Sequence, residues 1–294
     1  MTADEMFVSS PFRERLGGDR MTDRGPTGGD GAGVAAARDF RPVKSAYRAL
    51  DVLETIASGG PASLSELSRR LGIPKSSLHG LLHTLIDRGW VTPADGGTRF
   101  RLGLRALQVG TRFVDEDEVV SQVAPSLDRL AAVTGETIQH ARLDEDQVVY
   151  LAKRDTAHPV RIISSIGTRL PAHATALGKA LLAVRDDEEV HRLLHPPLRA
   201  LTPNTLTDPE ALTAHLQQAR ARGYAVDEGE AAEGLRCFAV VVPQPGGVRR
   251  GSDGTPTDAI SVSVPTFRLD EDREERLVTA LLEEQARLGG PVSR

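Results

Sequence analysis

Sulfur and aromatic side chains are scarce in this 294-residue chain. Its single cysteine, Cys237, rules out an intramolecular disulfide framework and any zinc site built from several thiolates, and it fits a reducing compartment. Aromatic residues make up 4%, too few for a platform that stacks single-stranded bases. No apolar run approaches the roughly 20 residues that cross a bilayer. The acid-and-glycine-rich beginning has no signal-peptide core, so a cytoplasmic protein without membrane contact is expected. Catalytic signatures are missing too: the chain has no G-x-S-x-G elbow, no H-E-x-x-H, no phosphate loop and no G-x-G-x-x-G after a strand. What remains is an ordinary globular composition, 39% hydrophobic and 26% charged, long enough for two folded units and a tail.

The net charge of −5 conceals a division. Residues 1–42 carry 6 arginines against 7 acids among Gly-Gly, Gly-Pro and Asp-Gly pairs, with almost no apolar periodicity, which predicts a disordered tail. Residues 43–112 carry 10 basic groups against 5 acids, and residues 113–294 carry 20 against 29. A basic unit therefore precedes an acidic one, as in a chain that meets a polyanion at one end.

Within the basic unit, Ala49, Val52, Leu53 and Ile56 recur at helical spacing from Ser45 to Gly59. Ser63 and Glu66 form a capping-box pattern ahead of Leu64, Leu67 and Leu71, Gly72 supplies a left-handed stop, and Pro74 opens a third helix. That third helix, Lys75 to about Arg88, sets Leu78, Leu81, Leu82, Leu85 and Ile86 on one stripe. Opposite and beside them lie Ser76, Ser77, His79, Gly80, His83 and Thr84, small or hydrogen-bonding residues that let a helix enter a major groove and meet base edges. Trp90–Thr92, a turn at Pro93–Gly97 and Thr98–Leu102 complete a hairpin wing, whose Arg99 and Arg101 share one face and are expected, with Lys75, to neutralise phosphates. Helix, helix, three-residue turn, helix and arginine-bearing hairpin together predict a winged helix-turn-helix that binds double-stranded DNA.

Pro74-Lys75-Ser76-Ser77-Leu78-His79 with Arg88-Gly89-Trp90-Val91 resembles the recognition region of IclR-type bacterial transcriptional regulators. The run from Gly167 through Leu170-Pro171-Ala172-His173-Ala174-Thr175-Ala176-Leu177-Gly178-Lys179 is similar to that family's effector-domain signature, as is Arg222-Gly223-Tyr224-Ala225 followed by Asp227-Glu228, Gly234 and Cys237. The likeness spans about Pro42 to the C-terminal helix. It implies a GAF-like α+β ligand domain and a repressor relieved by a small organic, aromatic or sugar-derived acid.

Read from its own residues, the second unit begins after a linker helix at 104–118, which ends in the acidic run Asp115–Glu118. Helices are expected at Val123–Val133, Thr175–Val184, Glu188–Leu194, Pro209–Arg222 and Glu271–Leu288, and strands at Thr137–Leu143, Val148–Lys153, 160–163, Leu235–Val242 and Ala259–Val264. Because the strands arrive first as a hairpin, an antiparallel sheet flanked by helices is predicted. The domain plan is thus a tail at 1–42, a winged helix-turn-helix at 43–103, the linker helix, and an effector domain at 119–294.

Three segments are candidates for the ligand site. Thr175 caps a helix that starts in small residues and offers amide donors to an anion, although close helix packing explains the same residues. Ser261 and Ser263 share one strand face and could bind ligand oxygens or form the wet face of an edge strand. Cys237 lies on the third, where a buried small hydrophobe is the commoner role. The resemblance implicates Ala176, Leu177, Asp227, Leu235, Cys237, Ser261 and Ser263, with the Pro243–Asp258 insertion read as a loop. His79 and His83 have metal-pair spacing but no third ligand, so neither metal nor cofactor is expected. The reading is a one-component regulator, a dimer or tetramer on a pseudo-palindromic operator. The rival is a small-molecule-binding protein or an enzyme using Cys237 and His173, with an incidental helical N-terminal domain.

Overall fold

A computed structural model describes residues 43–156, 158, 165–243 and 255–289. The chain divides into two units, Met1–Arg112 and Phe113–Arg294. The expected tail at 1–42, the strand at 160–163 and residues 244–254 of the insertion lie outside the described residues.

In the first unit, α1 (Lys44–Gly59), α2 (Leu64–Leu71) and α3 (Lys75–Asp87) close over a core of Val52, Ile56, Leu67, Leu71, Leu78, Leu82, Leu85 and Val91. The start of α2 is fixed as its sequence dictates. The Glu66 amide donates to the Ser63 hydroxyl at 3.3 Å, while the Ser63 amide donates to the Glu66 carboxylate at 2.7 Å. Gly72 ends the helix at φ 64°, and the Ser68 hydroxyl donates to the Ile73 carbonyl at 2.7 Å, tightening the turn into α3. The wing differs from the hairpin expected. Pro93 and Ala94 belong to strand β2 (Val91–Ala94), and the turn shrinks to a 3-10 segment at Asp95–Gly97. A two-residue strand, β1 (Ala62–Ser63), joins β3 (Arg99–Leu102) in the order β1-β3-β2. Proline is accommodated because β2 is an edge strand.

Helix α4 (Leu104–Glu116) stops two residues before the end expected for the linker. Asp117, in the middle of the acidic run, is buried rather than solvated: it caps α5 (Glu118–Thr134), accepting from the amides of Val119 at 3.0 Å and Val120 at 3.2 Å. Beyond it lie β4 (Thr137–Asp144), β5 (Gln147–Arg154), β6 (Arg169–Pro171), α6 (Ala176–Ala183), α7 (Asp187–Leu193), α8 (Pro209–Arg222), β7 (Ala225–Glu228), β8 (Leu235–Val241), β9 (Asp258–Pro265) and α9 (Glu271–Arg287). The sheet runs β6-β5-β4-β9-β8-β7 with every neighbour antiparallel. Side chains alternate between two cores. Ala141, Tyr150, Ala225, Ala239, Val241 and Ala259 pack with α6 and α8, whereas Ile138, Val226, Phe238, Val240, Ile260, Val262 and Val264 pack with α5 and α9. Strand β9 is central, so Ser261 and Ser263 do not form the wet face of an edge.

Candidate nucleic-acid interface and effector site

Helix α3 buries Leu78, Leu82 and Leu85 and leaves Lys75, Ser76, Ser77, His79, Gly80, His83 and Thr84 exposed. The Thr84 hydroxyl donates to the Gly80 carbonyl at 3.1 Å, and the His79 and His83 rings lie 4.7 Å apart. A side chain at Gly80 would meet nothing within 4 Å, so the glycine opens the outer surface of α3 instead of serving an internal contact. Between Lys75 and Asp87 this surface has no fixed charge, which leaves hydroxyls, imidazoles and bare backbone for base edges.

The two wing arginines part company. Arg101 is exposed, opposite Thr92. Arg99 turns its guanidinium onto its own domain: Nε donates to the Pro61 carbonyl at 3.0 Å, Nη2 bonds to the same oxygen, and Glu66 lies 3.6 Å away. Arg99 therefore ties the wing to the start of α2. The sequence offered no sign of this, because Pro61 and Arg99 meet only through the β1–β3 pairing.

In the second unit the pairing register lines up the expected ligand residues across the sheet. Asp227 stands opposite Cys237, Cys237 opposite Ser263 and Ser263 opposite Thr137, and in the next row Ala239, Ser261 and Gln139 are neighbours. Both serine hydroxyls donate to one acceptor, Gln139 Oε1, at 3.4 Å from Ser261 and 3.0 Å from Ser263. Gln139, unmarked in the sequence, thus organises this polar row, while Thr137 Oγ1 is buried with no hydrogen-bond partner among the described residues. Asp227 accepts from the amides of Glu230 at 2.6 Å and Ala231 at 3.3 Å, and burial pushes its carboxyl up to about 6. The Cys237 thiol is also pushed up, by burial and by Asp227, so it stays protonated. His173 is lowered by burial and its Nε2 meets the Arg199 carbonyl at 3.0 Å, an environment that does not activate a thiolate. Leu235, at the first position of β8, is half-buried.

Above this sheet face, Thr175 caps α6 by accepting from the Gly178 amide at 3.0 Å, so one donor at the helix start is already used. Ala176 and Leu177 are buried. A Cβ at Gly178 would fall 2.2 Å from the Ala172 carbonyl oxygen; only glycine lets the first turn of α6 lie against that segment. Lys179, which sequence reasoning passed over, is fully buried. Its ammonium is paired with Glu230 and lies 3.4 Å from His215 Nε2, while Glu230 Oε2 has no partner among the described residues. The signal was available: a lysine inside an eight-residue helix that is otherwise entirely small or apolar must bury its charge, and a buried charge needs a partner.

No group of three or more potential metal ligands gathers among the described residues, and no helix there is long and apolar enough to cross a membrane. Two family models match the chain: the IclR helix-turn-helix domain at residues 45–95 and the bacterial transcriptional regulator IclR C-terminal domain at 111–288. The transcriptional regulator BhcR of Paracoccus denitrificans is 36% identical over 254 residues, covering 86% of this chain and 88% of its own. The transcriptional repressor IclR of Escherichia coli is also 36% identical, over 82% of this chain and 86% of its own. Among solved structures, an IclR transcriptional regulator from Alicyclobacillus acidocaldarius superposes with a TM-score of 0.73 at 30% identity, over 84% of this chain and 98% of its own. An IclR homologue from Microbacterium hydrocarbonoxydans, complexed with 4-hydroxybenzoate, gives 0.67 at 25% identity, over 83% and 99%. With a helix-turn-helix in its first unit and a polar row buried beneath α6 in its second, the chain belongs to the IclR family of DNA-binding bacterial transcriptional regulators.

Proposed function

We propose that the chain is a cytoplasmic repressor that binds a pseudo-palindromic operator as a dimer or a tetramer and loses affinity when a small organic acid occupies the α6 face of its sheet. The uncharged, exposed surface of α3 carries this reading, because it fits a major groove and serves no internal packing. Ser76, Ser77, His79, Gly80, His83 and Thr84 meet base edges, Lys75 and Arg101 take phosphates, and Arg99 holds the wing in register. The ligand lies among Thr175, Ala176, Leu177, Asp227, Leu235, Cys237, Ser261 and Ser263, with Gln139 presenting the serines. The relative bound to 4-hydroxybenzoate supports an aromatic acid as the class. Near neutral pH Asp227 is mostly ionised and repels a carboxylate, so the acid binds with a proton shared between the two groups.

The test is selection of genomic fragments on the full chain, followed by anisotropy titration of the selected duplex with and without a panel of aromatic and short aliphatic acids. A coupling of about 1–3 kcal/mol predicts a 5–150-fold loss of DNA affinity for the matching acid. Fragments recovered without a shared sequence would count against operator recognition.

A further inference from the structure

The start of α1 and the exposed face of α3 bound an open groove of about 560 Å3, lined by Lys44, Ser45 and Arg48 on one side and Ser77, Gly80 and Thr84 on the other. Its floor at Gly80 is bare backbone, with nothing within 4 Å of where a side chain would begin. The two walls differ in kind. The α3 wall is neutral, and the α1 wall carries two cations that form no ion pair with any described residue. Unpaired cations beside a neutral helix that reads bases match the division of labour in a DNA complex, where charge takes the backbone and uncharged donors take the grooves.

We propose that this groove seats one strand of the DNA backbone, with Lys44 and Arg48 as phosphate ligands and the Ser45 and Ser77 hydroxyls as further donors. Helix α1 is then a DNA-contacting element beside α3 and the wing, placed where the strand passes as α3 enters the major groove. The assignment rests on the reading of α3 as the base-contacting helix. It places phosphate-binding charge on α1, which compensates for the loss of Arg99 to Pro61 and Glu66.

The test measures binding of the full chain to a labelled mixed-sequence duplex about four helical turns long, since phosphate contacts ignore sequence. Anisotropy titrations between about 50 and 200 mM KCl give the slope of log K against log salt. Arg48→Gln and Lys44→Gln should each flatten it by about 0.9 per subunit. Ser45→Glu adds a carboxylate in the first turn of α1, which the helix tolerates, and should cost about tenfold or more in affinity with an unchanged unfolding midpoint. Unaltered slopes in both glutamine variants, with Ser45→Glu binding as tightly as the parent, would overturn the proposal. A parent chain whose own binding ignores salt would overturn the reading of α3 along with it.

Discussion

Arg142 and Asp117 are joined side by side, Nη1 to Oδ2 at 2.6 Å and Nη2 to Oδ1 at 3.1 Å, and the same guanidinium reaches Asp258 at 2.9 Å. Asp258 in turn lies 2.8 Å from His140 Nε2, with no exposed surface on either side chain. Asp117 thus caps α5 and holds Arg142 of β4, whose guanidinium in turn holds Asp258 at the start of β9. Asp117→Asn keeps an acceptor for the Val119 and Val120 amides and loses only the ion pair; Asp117→Ala loses both. Asp117→Ala should cost about 3–5 kcal/mol in urea unfolding, and Asp117→Asn clearly less. Equal costs would show that the cap contributes little beyond the pair.

The same cluster sets an acid limit. Burial alone would raise the Asp258 carboxyl, but hydrogen bonds from His140 and Arg142 outweigh it and hold the group below its ordinary range. A lowered carboxylate stabilises the fold above its unfolded value, near 4, and that contribution disappears as pH falls through the folded value. Asp258→Asn should therefore lose less stability than the parent between about pH 5 and 3. Parallel curves for the two proteins would remove Asp258 from the acid transition.

Asp227 has the opposite sign. With its folded value raised to about 6, the native state holds a proton that the unfolded chain has released, so stability falls as pH rises from about 4 to 6 and is level beyond. Asp227→Asn retains an oxygen for the Glu230 and Ala231 amides and should be more stable than the parent at pH 7.5, by on the order of 2–3 kcal/mol, with the gap closing near pH 4. A gap independent of pH would contradict the assigned titration.

Lys179 and Glu230 form a pair that one substitution should break and two should mend. Lys179→Met leaves Glu230 buried and unpaired and should cost about 3–5 kcal/mol, whereas Lys179→Met with Glu230→Leu should recover most of it. Denaturant midpoints for both single variants and the double variant supply the cycle. Additive losses would mean that the ammonium and carboxylate are stabilised separately.

The wing arginines give a DNA-binding contrast. Arg101→Ala should weaken all duplexes alike and flatten the salt slope by about 0.9 per subunit. Arg99→Ala should leave that slope nearly intact, because the group is held by Pro61 and Glu66. His83→Ala or Ser77→Ala should instead change which sequences are preferred, read from competition with altered operators.

Elements whose signals are local could be read from the chain. The Ser63–Glu66 capping box, the Gly72 stop and the leucine stripe of α3 depend on residues within a turn or two of one another, and they stand where the pattern put them. Strands β1, β6 and β7 escaped because each has only two to four residues and no hairpin turn signal like the one that marks the equally short β2 and β3. Of the candidate ligand residues, Asp227, Cys237, Ser261 and Ser263 fall on adjacent strands in register, yet Gln139, which accepts from both serines, and Lys179, which pairs with Glu230 51 positions away, are defined by tertiary partners alone. Arg99 illustrates the same limit: its sequence context suited a phosphate, and a carbonyl 38 residues earlier in the chain holds it instead.

Gly178 carries a consequence for how such a site can diversify. Since only a hydrogen atom fits against the Ala172 carbonyl, any larger residue there would lever the opening turn of the helix away and shift Thr175, Ala176 and Leu177 as a block. Under the proposed ligand assignment, selectivity is then tuned more readily from the strand side, at positions such as 137, 139, 237 and 263, than by moving the helical roof.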